Sequence, residues 1–234
     1  MNTAVQRLET RTRGVSAPSD GAPDARTEVL NAAAECFKEQ GFSATSIDDV
    51  ARHLGATKGM IYHHFRSKTD LFFEVYRRGM EINVEAIEST ANRSDTAIQK
   101  LTRKSFAHAA VLMARQNYQR VLAQGVQLHQ QGSTTAAQRD TLNELIEIRN
   151  AYEARFRNAI AAAAKEAGVT VSDLSLASKS YLAVINSTVF WYSPRTENPA
   201  REQAKIAADL VTFAMQGVGI QADKEVLKQT GASA

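Results

Sequence analysis

Apolar residues recur along the chain at the three- and four-residue spacing of α-helices, and polar breaks separate the runs. The first run follows Asp24, a helix-capping residue type, and ends at Gly41. After a polar break at 89–95, five longer helices follow, at roughly 96–114, 117–131, 137–167, 172–192 and 199–217. Because strand-like alternation is scarce, the sequence predicts an all-α protein.

Two short helices and a turn of about three residues are predicted between residues 45 and 70. Thr45 can cap the first helix, and Gly55 supplies the left-handed residue that ends it. Thr57 can cap the second helix, and a third begins at Lys68. Two helices joined by a short, glycine-containing turn are typical of the helix-turn-helix motif, whose second helix enters the major groove of DNA.

Residues 41–72 resemble the DNA-binding domain of the TetR family of transcriptional regulators. The positions that carry the resemblance are Gly41-Phe42, Thr45-Ser46-Ile47, Ile61-Tyr62, His64-Phe65, Lys68 and Leu71. The resemblance implies an N-terminal three-helix helix-turn-helix domain, followed by a helical domain for ligand binding and dimerisation. We therefore expect a flexible tail at 1–23, a DNA-binding domain at 24–70, an effector-binding and dimerisation domain at 71–220 and a C-terminal tail at 221–234.

The second short helix and its neighbours carry the residue types that contact DNA. Lys58 and Gly59 are the candidates for reading base edges, because a lysine can donate to guanine and a glycine lets the backbone approach the groove. The resemblance places most of the others on phosphates, which hydroxyls, cations and helix N-terminal amides bind well. The expected DNA-binding residues are Thr45, Ser46, Thr57, Lys58, Gly59, Tyr62, His63 and Lys68.

The distribution of charge supports a local DNA-binding surface. The net charge of the 234-residue chain is only +3, so a basic surface must come from a local concentration of lysines and arginines. Residues 52–80 contain six lysines and arginines against two carboxylates, an excess of about four positive charges beside the predicted reading helix. The single cysteine, Cys36, excludes an intramolecular disulfide and a cysteine-cluster metal site, and a cytoplasmic location follows. The longest nearly apolar run, 181–192, is too short to span a bilayer, so we expect no membrane partner.

The helix at 137–167 carries an arginine, Arg149, within its apolar stripe, where a cation needs an anionic partner. A ligand anchor is one interpretation; a salt bridge or a surface arginine with a packed stem is the other. Asn186 is a second polar candidate. Aromatic residues are candidates for the walls of the pocket, although they equally fit an ordinary core. The candidate effector-binding residues are Arg149, Tyr152, Phe156, Asn186, Phe106 and Trp191.

The last two long helices are apolar on several sides, which indicates burial against a second copy of the chain or within their own domain. A two-fold homodimer suits the reading of an inverted-repeat operator in double-stranded DNA. Residues 182–194 also resemble the C-terminal domains of TetR-type regulators that sense acyl-CoA thioesters; multidrug or aromatic effectors remain open.

We therefore predict a transcriptional repressor released from a palindromic operator by a small-molecule effector. A helical enzyme and a nonspecific nucleic-acid-binding module are the rival hypotheses. No nucleophile–base spacing, metalloprotease motif, phosphate-binding loop or dinucleotide fingerprint is present in the sequence, so we expect neither an enzyme nor a cofactor. Adjacent His63 and His64 lack a third residue at metal-ligand spacing, so we expect no metal.

Overall fold

The computed structural model describes residues 24–92, 94–130 and 136–232, and the predicted tail at 1–23 lies outside this described part. The described residues form helices and no strands, which confirms the predicted all-α class. In chain order the helices are α1 (Ala25–Ala44), α2 (Ile47–Leu54), α3 (Lys58–His64), α4 (Lys68–Glu88), α5 (Ala97–Ala114), α6 (Gln116–Gln130), α7 (Ala136–Ala167), α8 (Leu174–Asn186), α9 (Thr188–Trp191), α10 (Pro199–Gly217) and α11 (Lys224–Ala232).

Caps define the ends of the first three helices. Asp24 accepts a hydrogen bond from the Thr27 amide at the start of α1, and Thr57 accepts one from the Met60 amide at the start of α3. Gly55 ends α2 in the left-handed conformation (φ 68°), as its position predicts. These local signals reproduce the helix-turn-helix order of α2, turn and α3.

The cap of α2 differs from the prediction by one residue. Ser46, not Thr45, is the N-cap, and it forms a reciprocal capping box with Asp49. Thr45 is buried, and its hydroxyl oxygen lies 2.7 Å from the carbonyl oxygen of Gly41 and 3.2 Å from that of Cys36. Thr45 therefore closes the end of α1, where the backbone leaves the helix at Gly41 (φ 78°).

The chain divides into two compact units. One comprises the residues through Glu81 together with Arg115–Ile148, and the other comprises Ile82–Ala114 with the residues from Arg149 onwards. The first unit thus contains more than the predicted DNA-binding domain at 24–70. The division falls within α4 and within α7.

Close helix packing organises the first unit, where α1 lies against both α2 and α6. Glycines set the approach of α4 to α6: a Cβ at Gly79 would lie 2.3 Å from Leu122 Cδ1, and one at Gly125 would lie 2.5 Å from the Tyr76 ring. Neither position can accept a larger side chain unless its neighbour shifts. The helix-turn-helix is therefore supported by a closely packed bed of helices within its own unit.

In the second unit, α5 packs against α8, α10 and α11. The helix predicted at 172–192 is divided at Ser187 into α8 and the four-residue α9. The C-terminal tail predicted at 221–234 is wrong for most of its length, because α11 occupies Lys224–Ala232. Val226 of α11 is buried, and the preceding Asp223 caps the helix by accepting from the Val226 amide (2.9 Å).

Candidate DNA-binding surface and effector site

The short helix α3 presents nearly all of its residues to solvent. Ile61 is its only buried residue, whereas Lys58, Gly59 and His63 are exposed and Tyr62 is 53% exposed. Such a helix contributes little to the core, yet it carries a cation, a phenol and an imidazole. A Cβ added at Gly59 would meet only Thr57 Oγ1, at 3.7 Å, so packing does not require glycine there.

Carboxylates near the start of α2 pair with two of the basic groups. The Lys58 ammonium lies 2.7 Å from Asp48 Oδ2, and the Arg52 guanidinium lies 2.9 Å from Asp49 Oδ1. The Ser46 hydroxyl also lies 2.6 Å from Asp49 Oδ2. Hydrogen bonds from Ser46 lower the pKa of Asp49, so this carboxylate is ionised. Because exposed pairs of this kind are worth about 1 kcal/mol or less, a DNA phosphate or base can compete for Lys58.

Two of the predicted DNA-binding residues have structural roles instead. Thr45 is buried with its hydroxyl directed at the end of α1, so it cannot reach a phosphate. The Lys68 ammonium donates to the carbonyl oxygens of Phe42 (2.8 Å), Ser43 (3.2 Å) and Thr45 (2.8 Å). Lys68 therefore satisfies carbonyls at the C-terminal end of α1, and its three donors are occupied.

A buried histidine that the sequence interpretation missed, His108 of α5, lies among three of the predicted effector-site residues. Its Nε2 lies 2.9 Å from Asn186 Oδ1, and its Nδ1 lies 2.9 Å from the Tyr152 hydroxyl. Its ring lies 5.5 Å from that of Tyr152 and 5.3 Å from that of Phe156. These residues, His108, Tyr152, Phe156 and Asn186, are here called the histidine cluster.

The histidine cluster carries no formal charge at neutral pH. Burial lowers the pKa of His108 to about 4, although its hydrogen bond to Asn186 acts in the opposite direction. Burial also raises the pKa of Tyr152. A neutral imidazole that donates from Nε2 to Asn186 and accepts at Nδ1 from Tyr152 satisfies all these groups. The cluster is thus a desolvated, uncharged set of hydrogen-bonding groups inside the second unit.

A second buried polar pair lies one turn earlier on α5. The Ser105 and Tyr181 hydroxyl oxygens are 2.6 Å apart, and both residues are fully buried. Leu101, Ser105, His108 and Leu112 are all buried, and their four-three-four spacing is the signal that could have revealed His108 from the sequence. The Ser105–Tyr181 pair satisfies two buried hydroxyl groups beside the histidine cluster.

The other predicted effector-site residues lie outside the histidine cluster. Arg149 is exposed, so its predicted place within the apolar stripe is wrong; Ile148 occupies the buried position between Leu145 and Tyr152. Trp191 is 48% exposed and donates to the Ser187 hydroxyl, so within one chain it does not form an enclosed pocket wall. Phe106 is buried, but it precedes His108 by two residues and so points to another side of α5.

Large apolar side chains are exposed on the last helices of the second unit. Phe190 is 74% exposed and Phe213 is 65% exposed, and Leu176 is similarly open to solvent. Leu176 and Phe213 line a surface groove of about 480 Å³ between α8 and the end of α10. Single apolar residues on a surface are common, whereas Leu176 and Phe213 share one groove, an arrangement typical of interaction surfaces.

The described residues, 24–92, 94–130 and 136–232, also bear on membrane and metal binding. None of their helices is long and apolar enough to cross a membrane. They contain no group of three or more histidine, cysteine, aspartate or glutamate side chains placed to hold a metal ion. Cys36 is buried, and burial raises the pKa of its thiol, which disfavours the reactive thiolate form.

A capped helix α2, a short turn and the exposed helix α3 follow one another in the chain and define a helix-turn-helix protein. Comparison with known families narrows this class. Residues 29–75 match the model of the bacterial regulatory proteins of the tetR family, and residues 94–216, more than half of the chain, match the tetracyclin repressor-like C-terminal domain. The chain therefore belongs to the TetR family of bacterial transcriptional regulators, which are DNA-binding proteins.

Curated relatives match over part of their length. The regulator AcrR of Shigella flexneri is 39% identical over 67 residues, which cover 29% of this chain and 31% of AcrR. The activator FasR of Mycolicibacterium smegmatis is 30% identical over 102 residues (43% and 47%). The repressor KstR2 of Mycobacterium tuberculosis is 33% identical over 108 residues (42% and 54%). The matched part of the chain thus spans between about a third and about half of these relatives.

Solved structures share the fold over most of the chain. PfmR from Thermus thermophilus superposes with a TM-score of 0.67 at 24% identity, covering 80% of this chain and 97% of PfmR. AibR, solved in complex with isovaleryl coenzyme A and operator DNA, superposes with a TM-score of 0.65 at 20% identity, covering 81% and 97%. At these identities the similarity establishes the fold.

Proposed function

We propose that this protein is a cytoplasmic homodimeric repressor that binds an inverted-repeat operator through α3 and leaves it when a small-molecule effector binds the second unit. The observation that carries the proposal is the exposure of Lys58, Gly59, Tyr62 and His63 on a seven-residue helix with a single buried residue. Ser46 and Thr57 are the exposed N-caps of α2 and α3, and their hydroxyl groups are of the type that contacts phosphates.

Homodimer formation is supported by the exposed apolar face of the last helices. On α10, Ile206, Leu210, Phe213 and Gly217 follow one another at helical spacing, and all are partly or fully exposed. Leu176 and Phe190 extend the apolar character on α8 and α9. A second copy would bury this face and present two copies of α3 to the two half-sites of an inverted repeat.

The histidine cluster is the proposed effector site, because it gathers hydrogen-bonding groups among aromatic rings. We favour an acyl-CoA thioester as the effector. AibR, which shares the fold, binds isovaleryl coenzyme A, and residues 182–194 resemble those of acyl-CoA-sensing regulators. A thioester carbonyl is an acceptor that Tyr152 or His108 can satisfy in the absence of water.

Selection of bound DNA from a random pool tests the proposal. We expect an inverted repeat, and we expect Tyr62→Ala to bind it at least tenfold more weakly while the unfolding midpoint changes little, because Tyr62 is 53% exposed. Tyr118→Phe in the same unit is the contrasting control, because it removes the buried hydroxyl that donates to Asn31 Oδ1 (2.7 Å) and should lower the unfolding midpoint while operator affinity stays unchanged. Equal affinity for random duplex at matched salt would instead indicate a nonspecific binding module.

A further inference from the structure

We infer that Lys104, together with Arg155, binds an anionic group of the effector, so that effectors of this protein carry a phosphate or a carboxylate beside their apolar part. This inference rests on the proposed effector site at the histidine cluster. It replaces Arg149, which is exposed, as the source of the positive charge.

Lys104 lies at the edge of the histidine cluster. Its ammonium is 5.9 Å from the centre of the Phe156 ring, and that ring is in turn 5.3 Å from the ring of His108. Lys104 also precedes His108 by four residues on α5, so the two side chains lie on the same face, about 6 Å apart along the helix axis. A ligand that contacts His108 thus passes within reach of this ammonium.

One cation and one carboxylate act electrostatically on Lys104. Arg155 of α7 pairs with Glu88 at the end of α4, and Lys104 interacts electrostatically with both. Within the described part of the chain, the Lys104 ammonium has no carboxylate or carbonyl partner at hydrogen-bonding distance, and the Phe156 face is its described contact.

This arrangement is unfavourable for the protein alone. Burial lowers the pKa of Lys104, Arg155 lowers it further, and Glu88 raises it. A partly buried ammonium without a counterion loses hydration that only an anion or a strong acceptor can replace. Binding of an anion would therefore stabilise Lys104 and Arg155 together, and a neutral ligand would gain nothing from either.

Three octanoyl compounds separate the possible sources of the anion: octanoyl coenzyme A supplies phosphates, octanoate supplies a carboxylate, and octanoyl-N-acetylcysteamine is a neutral thioester. Calorimetric titration of the full-length protein would compare wild type with Lys104→Met, which keeps the length, and Lys104→Arg, which keeps the charge. Lys100→Met, which removes an exposed lysine one turn earlier on α5, is the matched control.

We expect Lys104→Met to weaken the binding of at least one anionic compound about tenfold, which corresponds to the loss of roughly one charge-assisted hydrogen bond. We expect Lys104→Arg and Lys100→Met to remain within threefold of wild type, and the neutral thioester to be unaffected by any variant. Whether the sensitive compound is octanoyl coenzyme A or octanoate identifies the anion.

Several results would overturn the inference. One is that Lys104→Met weakens the binding of neutral and anionic compounds equally, because the loss of a lysine that merely covers Phe156 would affect both kinds of compound. Another is wild-type affinity of Lys104→Met for every anionic compound. A third is a wild-type protein that binds no anionic compound while it still binds its operator, which would leave the proposed DNA-binding function intact.

Discussion

Protonation of His108 should make the protein markedly less stable at mildly acidic pH. The folded-state pKa of about 4 lies below the ordinary value of 6.5, because the ring is buried within the histidine cluster. Between these values the unfolded chain binds a proton that the folded chain does not. The stability contributed by neutral His108 is therefore complete above pH 6.5 and is lost progressively as the pH falls towards 4.

The magnitude follows from these two pKa values. Lowering the pH from 7.5 to 5 should remove about 2 kcal/mol of unfolding free energy per chain through His108 alone, and the loss should approach about 3 kcal/mol at pH 4. Other groups also titrate in this range, so the informative quantity is the difference between wild type and His108→Gln. Glutamine keeps a hydrogen-bonding side chain and does not titrate.

Urea unfolding at fixed protein concentration, at pH 7.5 and at pH 5, measures this difference. We expect wild type to lose about 2 kcal/mol more than His108→Gln between the two conditions. His63→Gln, which removes an exposed histidine, should behave as wild type does. If His108→Gln does not fold, the His108 imidazole resonances of wild type replace the comparison. A ring that becomes protonated near pH 6.5, or variants with identical pH dependence, would refute a desolvated His108.

Three further substitutions test the assigned roles of residues in the first unit. Gly59→Ala should stabilise the fold by up to about 1 kcal/mol through helix propensity, yet it should weaken operator binding at least tenfold in fluorescence anisotropy. Gly231→Ala is the control. Unchanged operator affinity of Gly59→Ala would show that Gly59 does not lie in the groove. Asp48→Asn should tighten operator binding about threefold at low salt, because it frees Lys58 from its ion pair and removes a charge that repels phosphate. Glu35→Gln should leave operator binding unchanged. An equal effect of both substitutions would indicate a general charge effect. Lys68→Met should lower the unfolding free energy, measured by urea unfolding, by about 2 kcal/mol. It should leave the salt dependence of operator binding unchanged. A flatter salt dependence would instead indicate that Lys68 contacts a phosphate.

Local signals were sufficient to predict most of the first unit. Asp24, Gly55 and Thr57 act through hydrogen bonds or backbone angles within a few residues, so each can be recognised in the sequence without knowledge of the fold. The exposure of α3 was predictable for a similar reason. Its apolar residues are few, with Met60 and Ile61 between Lys58-Gly59 and His63-His64, and such a helix cannot be buried on several sides.

Other residues depend on contacts that spacing does not encode. Thr45 and Ser46 are adjacent hydroxyl residues, and only the path of the chain after Gly41 decides which of them caps α2. Lys68 reaches carbonyl groups 23 to 26 residues earlier in the chain. The same residue type at the start of a helix also suits a phosphate contact, so the sequence alone could not separate the two roles.

The error at Arg149 has a geometric origin. Both Ile148 and Arg149 fit a three- or four-residue step from Leu145 and to Tyr152, and consecutive helical residues differ by about 100° in direction. The neighbouring helices decide which of the two is buried, and they bury Ile148. The alternative weighed for Arg149, a surface arginine, is the one that its exposure supports.

Effector binding at the histidine cluster can influence DNA binding only if the effector interacts differently with two conformations of the protein. In the present structure both nitrogens of His108 have protein partners, and the Tyr152 hydroxyl also lies 3.5 Å from the carbonyl oxygen of Asn83 on α4. An effector carbonyl that accepts from Tyr152 or His108 must therefore replace one of these hydrogen bonds. Any loss at Asn83 acts on α4, whose first residue, Lys68, bonds to the end of α1. Because such coupling is a property of the equilibrium, the factor by which effector weakens operator binding must equal the factor by which operator weakens effector binding.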